Sequence, residues 1–348
     1  MKQFCSLCVV ICVLAGALSA QAFDEVSRRS DKAVKGSITD VTRDGVKIKP
    51  PTGAEITVPA NDISDIRWDD EPLSLQGARI AARNGNTESA LEELKKSATD
   101  AKAKGDIKAE IEYLTASITA QNGLDQSDSA QLDDAAAKLD AFAKANGSNA
   151  RYFDAVFLLG RVQLARQDFD GAASAFQQLS QAPWSDYKMA ARNATARLSL
   201  KKGDLAAALS SFEAVLGLPA NSPAEISRRN EALLGKATVT LQQGNAQQAL
   251  DTIKEAIQAA DPEDSAVQAE AFVRKGDSLR LLGQTKEAIL AYLHVPVLFE
   301  KEAAFNAEAL FHLASLWSAA GQPERGLAAS QELRENYPNS EWTKKLGQ

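Results

Sequence analysis

The stretch "LLGRVQLARQDFDGAASAFQQL", residues 158–179, sets Gly160 twelve residues before Ala172 and sixteen before Phe176. The pattern around that alanine recurs along the chain: a residue five before it, glycine in most matches, and a large residue four after. The matches are Gly85/Ala90/Leu94, Gln167/Ala172/Phe176, Gly203/Ala208/Phe212, Gly244/Ala249/Ile253 and Gly283/Ala288/Tyr292. Gly321/Gly326/Ser330 is a looser match and Ala135/Leu139 a degenerate one. From Ala172 onward the anchors follow at intervals of 36, 41, 39 and 38 residues. Only 20 of 348 residues are glycine, so five at one offset are not a composition effect. A period of this length means stacked units, because one such unit cannot bury its apolar face alone.

Each position has a physical reason. The glycine ends the first helix of a pair, where the chain must turn left-handed. A polar residue follows (Asn86, Asp168, Asp204, Asn245) and is suited to cap the second helix. The anchor alanine allows the two helices to approach closely. The large residue four later lies on the same face and fills the space between them. Everything after Pro72 reads as such hairpins, about six or seven of them over residues 73–348.

Two earlier segments read differently. Residues 1–22, "MKQFCSLCVVICVLAGALSAQA", combine a basic Lys2, an apolar run too short to span a bilayer comfortably and an A-x-A site at Ala20-Gln21-Ala22. They predict an export signal cleaved after Ala22. All three cysteines, Cys5, Cys8 and Cys12, fall inside it, so the expected mature chain forms no disulfide and no thiolate metal site. Residues 23–72 are rich in Val, Ile and Thr and alternate in "VKIK" and "EITV", which predicts four or five short strands. Asp44-Gly45 reads as a hairpin turn and Pro50-Pro51-Thr52-Gly53 as the next one. Asn61-Asp62 reads as the cap of a single helical turn. So small a core is marginal alone, so this module is expected to pack on the helices.

The helical units resemble the tetratricopeptide repeat. Gly160, Ala196 and Gly276 match its small residue on the first helix, and Leu159, Ala172 and Phe176 its further packing positions. Pro338 in "ENYPNSEW" matches the proline that closes a repeat. The resemblance covers about residues 73–345, strongest in the middle repeats and weakest around 105–150. It implies a mostly α fold, a right-handed α-superhelix preceded by a small module that itself resembles SH3-like and Sm-like barrels. The closing "NYPNSEWTKKL" resembles repeat ends in bacterial envelope proteins such as the Tol-Pal coordinator and outer-membrane assembly lipoproteins. The implied function is a non-catalytic scaffold that binds a protein or peptide in the cell envelope along its concave face.

No residue pattern assigns catalytic, cofactor or metal chemistry. His294 and His312 are the only histidines and lie 18 residues apart, so they lack metal-pair spacing and read as packed or surface residues. Phosphate loops, dinucleotide fingerprints and nucleophile elbows are absent. "DQSDSAQLDD" (125–134) lacks the glycine and glutamate of a calcium loop and reads as an acidic linker with a helix cap, as does "DPEDS" (261–265). Asn146 and Asn193 head glycosylation sequons. A formal charge of −7 argues against nucleic acid and anionic membranes as partners. Two alternatives stay open: the superhelical part of an enzyme acting on envelope polymer, and a structural spacer or oligomer subunit.

Candidate binding residues are those the packing positions leave free on the first helix of two adjacent repeats. They are Phe157, Arg161 and Leu164, then Asn193, Arg197 and Leu200 at the same offsets. The first helix lines the inner surface in the resembling family, so the six are expected to share one groove. Two arginines, an amide and an aromatic suit an acidic or C-terminal carboxylate. The alternative is that both arginines pair with nearby carboxylates of the chain. Leu234 and Thr238 hold the matching positions of the next repeat, without the lysines of the family's carboxylate clamp.

Overall fold

Five strands come first: β1 (Asp24–Arg28), β2 (Val34–Thr42), β3 (Gly45–Lys49), β4 (Ile56–Pro59) and β5 (Ile63–Arg67). They form one antiparallel sheet in the order β4-β3-β2-β1-β5, with a 3-10 turn, Ala60–Asp62, leading into β5. The computed structural model describes residues 23–346. The expected export signal, its cleavage point and the three cysteines lie outside the described residues. Bulges in the β1–β5 and β2–β3 ladders curl the sheet. Its alternating residues Val26, Val46, Ile48, Val58, Ile63 and Ile66 turn into one buried core.

Two turns differ from the sequence reading. The β2–β3 loop is Arg43-Asp44, and Gly45 is the first residue of β3. Glycine is required there because a Cβ would overlap the carbonyl of Val58 on β4. Asn61 and Asp62 lie inside the 3-10 turn and do not cap it. The Asp62 carboxylate instead accepts Arg28 Nε at 2.7 Å and the Ser30 backbone N–H at 2.8 Å, tying the turn to the end of β1.

Seven helical hairpins follow. They are α1 (Leu73–Arg83) with α2 (Thr87–Ala98), α3 (Gly105–Gln126) with α4 (Ser129–Ala145), and α5 (Tyr152–Ala165) with α6 (Phe169–Leu179). Next come α7 (Ser185–Lys201) with α8 (Leu205–Leu216), and α9 (Pro223–Gln242) with α10 (Ala246–Ala259). The last two pairs are α11 (Ser265–Leu281) with α12 (Thr285–Leu298), and α13 (Ala303–Ala319) with α14 (Pro323–Asn336). Pro338 stands in the turn after α14, before the short terminal helix α15 (Glu341–Leu346). The arrangement is an α-solenoid preceded by a small antiparallel sheet.

The repeat pattern accounts for how each hairpin turns. Gly85, Gly203, Gly244, Gly283 and Gly321 end a first helix with φ between 73° and 84°, and Gln167 takes the same conformation at 62°. Asn86, Asp168 and Asp204 cap the second helix by accepting the N–H of Ser89, Gly171 and Ala207. Asn245 stands in the same place but makes no such bond. The expected acidic linker at 125–134 is no linker: it ends α3, turns left-handed at Ser127 and starts α4 with Asp128 as its cap. Residues 261–265 are a short turn in which Asp264 caps α11.

Packing within a hairpin depends on the small residue of its first helix. A Cβ on Gly160 would overlap the ring of Phe176, and one on Gly276 would lie 2.6 Å from that of Tyr292. Ala196 holds the same place sixteen residues before Phe212. The ring of Phe212 also meets Gly235 of the following hairpin, a contact outside the repeat pattern. The anchors Ala90, Ala172, Ala208, Ala249 and Ala288 are fully buried.

The sheet reaches well beyond the first hairpin. Arg79 on α1 donates to Asp65 and Glu71 and to the carbonyl of Ile66. Arg29 reaches Asp154 on α5, and Asn61 reaches Asp186 on α7. Ala150 and Trp184, just before α5 and α7, pack into the sheet's own core. The array curves enough for α13 to touch α3, and Lys201 on α7 lies 3.9 Å from Glu341 on α15.

Replacing Gly160 with Ala forces a methyl group against the Phe176 ring. It should cost about 1–3 kcal/mol, the usual range for an overpacked core, and lower the denaturation midpoint. An unchanged midpoint would show that the helices of that pair are free to part.

Candidate functional site

The first helices of successive hairpins touch one another along α3, α5, α7, α9, α11 and α13, so they form the inner layer of the solenoid. Sequence position relative to the small residue (Gly160, Ala196, Ala237, Gly276, Ala314) then decides what faces the groove. Six residues before it stand Asp154, Glu231, Glu270 and Glu308, with Ala190 interrupting the row. Each carboxylate meets an arginine. Arg29, just after β1, lies 3.2 Å from Asp154, and Arg228 lies 2.5 Å from Glu231. Arg197 holds Glu270 through two bonds of 3.0 and 2.7 Å, and Arg274 lies 2.5 Å from Glu308. Burial opposes the ionisation of Glu231, but Arg228 and Arg197 outweigh it and hold this carboxyl below its ordinary value.

Of this charged row, only Arg197 is among the expected groove residues; its four carboxylates are not. Its signal was available: Glu231, Glu270 and Glu308 are 39 and 38 residues apart, the interval of the anchors. What the interval does not disclose is which arginine meets which carboxylate. Arg197 pairs 73 residues away and Arg29 pairs 125 residues away.

The expected groove residues divide into two sets. Phe157, Arg161 and Leu164 on α5 do face the groove. Phe157 and Arg161 line a cavity of about 370 Å³ together with Arg29, Tyr113, Tyr187 and Arg228. Arg161 and Leu164 line a wider one of about 1060 Å³ that reaches Lys201 and the α15 residues Glu341 and Lys344. On α7 the three residues are engaged within the fold. Asn193 is buried and donates to the Arg228 carbonyl at 2.7 Å and to Glu231 at 3.2 Å, bridging α7 to α9. Its burial also leaves no space for a glycan at that sequon. Arg197 is held by Glu270, and Leu200 packs against the core between α7 and α8. The ion-paired alternative therefore describes Arg197, not Arg161.

Among the described residues, Arg161 has no hydrogen-bond or ion-pair partner. Its side chain is exposed to water, and it borders both groove cavities. Desolvation by the surrounding protein lowers its pKa, and Arg228 and Arg197 lower it further against the pull of Glu231 and Asp125. An unpaired guanidinium beside two others is a site where an anion gains on arrival. It restores the pairing that every neighbouring arginine already has.

Asp277, Glu308 and His312 also converge, with ligand atoms within 4.8 Å of one another. Arg274 occupies that cluster, 2.5 Å from both carboxylates, and Tyr292 donates to Asp277 at 2.7 Å. His312 stacks on Tyr292, and burial lowers its pKa to about 4. His294 stacks on Phe272 with ring centroids 4.2 Å apart. Because His312 stays neutral in the fold, an unfolded chain binds one more proton between its ordinary 6.5 and about 4. Stability should therefore fall as pH drops through that window. Thermal denaturation of His312→Phe should show a shallower fall than the parent chain; identical slopes would exclude this histidine as the cause.

Comparison with known proteins agrees with the fold. Residues 120–188, 193–265 and 234–295 match one tetratricopeptide-repeat model and residues 308–340 match a second. The matches span more than half of the chain, which is a tetratricopeptide-repeat protein. A tetratricopeptide repeat protein from Parabacteroides merdae shares the fold at TM-score 0.52 and 15% identity, over 79% of this chain and 96% of its own. NprR, solved in complex with its cognate peptide NprX, gives 0.55 at 15% identity over 75% and 76%. A Rap protein complexed with Competence and Sporulation Factor gives 0.50 at 13% identity over 78% and 77%. No curated protein matches the sequence.

Proposed function

We propose that this protein is a non-catalytic scaffold of the cell envelope that binds an acidic segment of a partner protein or peptide in its inner groove. The observation that carries this reading is Arg161, the groove arginine without a carboxylate, set between two cavities and beside Phe157. NprR and the Rap protein, which share the fold, are each solved with a bound factor, a peptide in the case of NprX. That use of the fold is consistent with a groove open to a peptide chain. The sheet takes part through Arg29, which closes one side of the smaller cavity. The envelope location rests on residues 1–22 alone, and N-terminal sequencing of the mature protein should begin at Phe23. No helix among the described residues is long and apolar enough to cross a membrane.

Selection from a library of short peptides with free C-termini tests the groove. Enriched sequences should carry a carboxylate. Arg161→Glu should bind them at least about tenfold more weakly, since a charge-assisted hydrogen bond contributes about 1.5–3 kcal/mol, while its circular dichroism stays unchanged. Enriched peptides indifferent to that substitution would move the binding site elsewhere.

A further inference from the structure

A third cavity opens beside the charged groove. It holds about 400 Å³ between the sheet and the first three helices, walled by Ser64 on β5, Ala78 and Ala82 on α1, Leu94 on α2, and Leu114 and Ile118 on α3. Its walls are mostly carbon. Arg79, which borders it, is already engaged by Asp65, Glu71 and the Ile66 carbonyl. Arg67 at the same cavity pairs with Asp65 at 2.9 Å, which leaves Arg83 as the lining arginine with no carboxylate partner among the described residues.

It shares a residue with the groove, since Ile118 also lines the cavity of about 370 Å³ that Arg161 borders. Leu114, Ile118, Gln121 and Asp125 follow one another at i, i+4, i+7 and i+11, so they run along one face of α3. Leu124, the neighbour of Asp125 in sequence, lines the wider cavity with Arg161, so Asp125 lies at the Arg161 end of that face. Ile118 and Asp125 are about 10 Å apart along the helix axis at the α-helical rise. An extended peptide covers that distance in about three residues.

We propose that this cavity receives a large apolar side chain of the partner segment, about three residues from the carboxylate that Arg161 holds. The inference rests on the groove reading and specifies the partner's chemistry: one Leu, Ile or Phe and one carboxylate at that spacing. The continuity through Ile118 favours a single occupant for both cavities, and Arg83, without a carboxylate among the described residues, favours an acidic chain. The β module then forms one wall of the binding site through β5 and Arg29, in addition to covering the array.

Two substitutions fill the cavity from opposite walls: Ala82→Trp on α1 and Ser64→Trp on the exposed side of β5. The probes are dye-labelled peptides selected on the parent protein, measured by fluorescence anisotropy. The parent should select an apolar residue at the stated spacing. Both variants should bind those peptides at least about tenfold more weakly while still binding counterparts whose apolar residue is replaced by alanine as the parent does. Unchanged affinity in a variant that retains the parent's circular dichroism would overturn the cavity assignment and leave the groove reading intact. If one variant fails to fold, the other decides. Peptides that bind Arg161→Glu as tightly as the parent, or no enrichment over an unrelated protein, would overturn both readings.

Discussion

The middle of the solenoid depends on one contact, made in α5–α6, α7–α8 and α11–α12: a small residue on the first helix of a hairpin set against a large ring on the second. At Gly160 and Phe176 there is no room for even a methyl group, and Gly276 with Tyr292 repeats the arrangement. The contact fixes how one helix is rotated against the other. Once that rotation is set, the residues one after, three before and six before the small one are committed to the inner face. The same rule then serves packing and function. It buries Ala172 and Phe176, and it aims Phe157, Arg161 and Asp154 into the groove.

The groove is electrostatically close to self-sufficient. Its carboxylates at Asp154, Glu231, Glu270 and Glu308 all meet arginines, whose planar forks suit two-point pairing. Such partly buried pairs are weak evidence for stability, because desolvation offsets their attraction. They do constrain alignment between repeats, as Arg197 does by reaching Glu270 two hairpins on. The interruption at Ala190 removes one carboxylate from the row and leaves the groove with an arginine to spare. Anion binding at Arg161 is thus a property of the whole row.

The repeat, its phase and most of its turns were legible because each depends on residues less than twenty apart. The α5 half of the groove was legible for the same reason: Phe157, Arg161 and Leu164 follow from helical offsets alone. How the α7 residues are engaged was not legible, because offsets say which face a residue occupies, not whether a later helix covers it. Asn193 is covered by α9, and Arg197 is engaged from α11. Sheet placement was invisible for a related reason. Arg29, Asn61 and Trp184 make contacts that no local pattern encodes. Gly45 shows the limit at the smallest scale: its place beside Asp44 suggests a turn, whereas its need arises from the Val58 carbonyl on another strand.

A double-mutant cycle between Arg161 and the carboxylate of a bound peptide tests the central claim most directly. One arm replaces Arg161 with Ala, the other replaces the peptide's carboxylate with its amide, and the third combines them. A direct pair should give a coupling of about 1.5–3 kcal/mol, the range for hydrogen bonds to charged groups, so that amidation costs affinity in the parent and almost none in Arg161→Ala. Strictly additive losses would contradict the account, because they would mean that the carboxylate and Arg161 act at separate places.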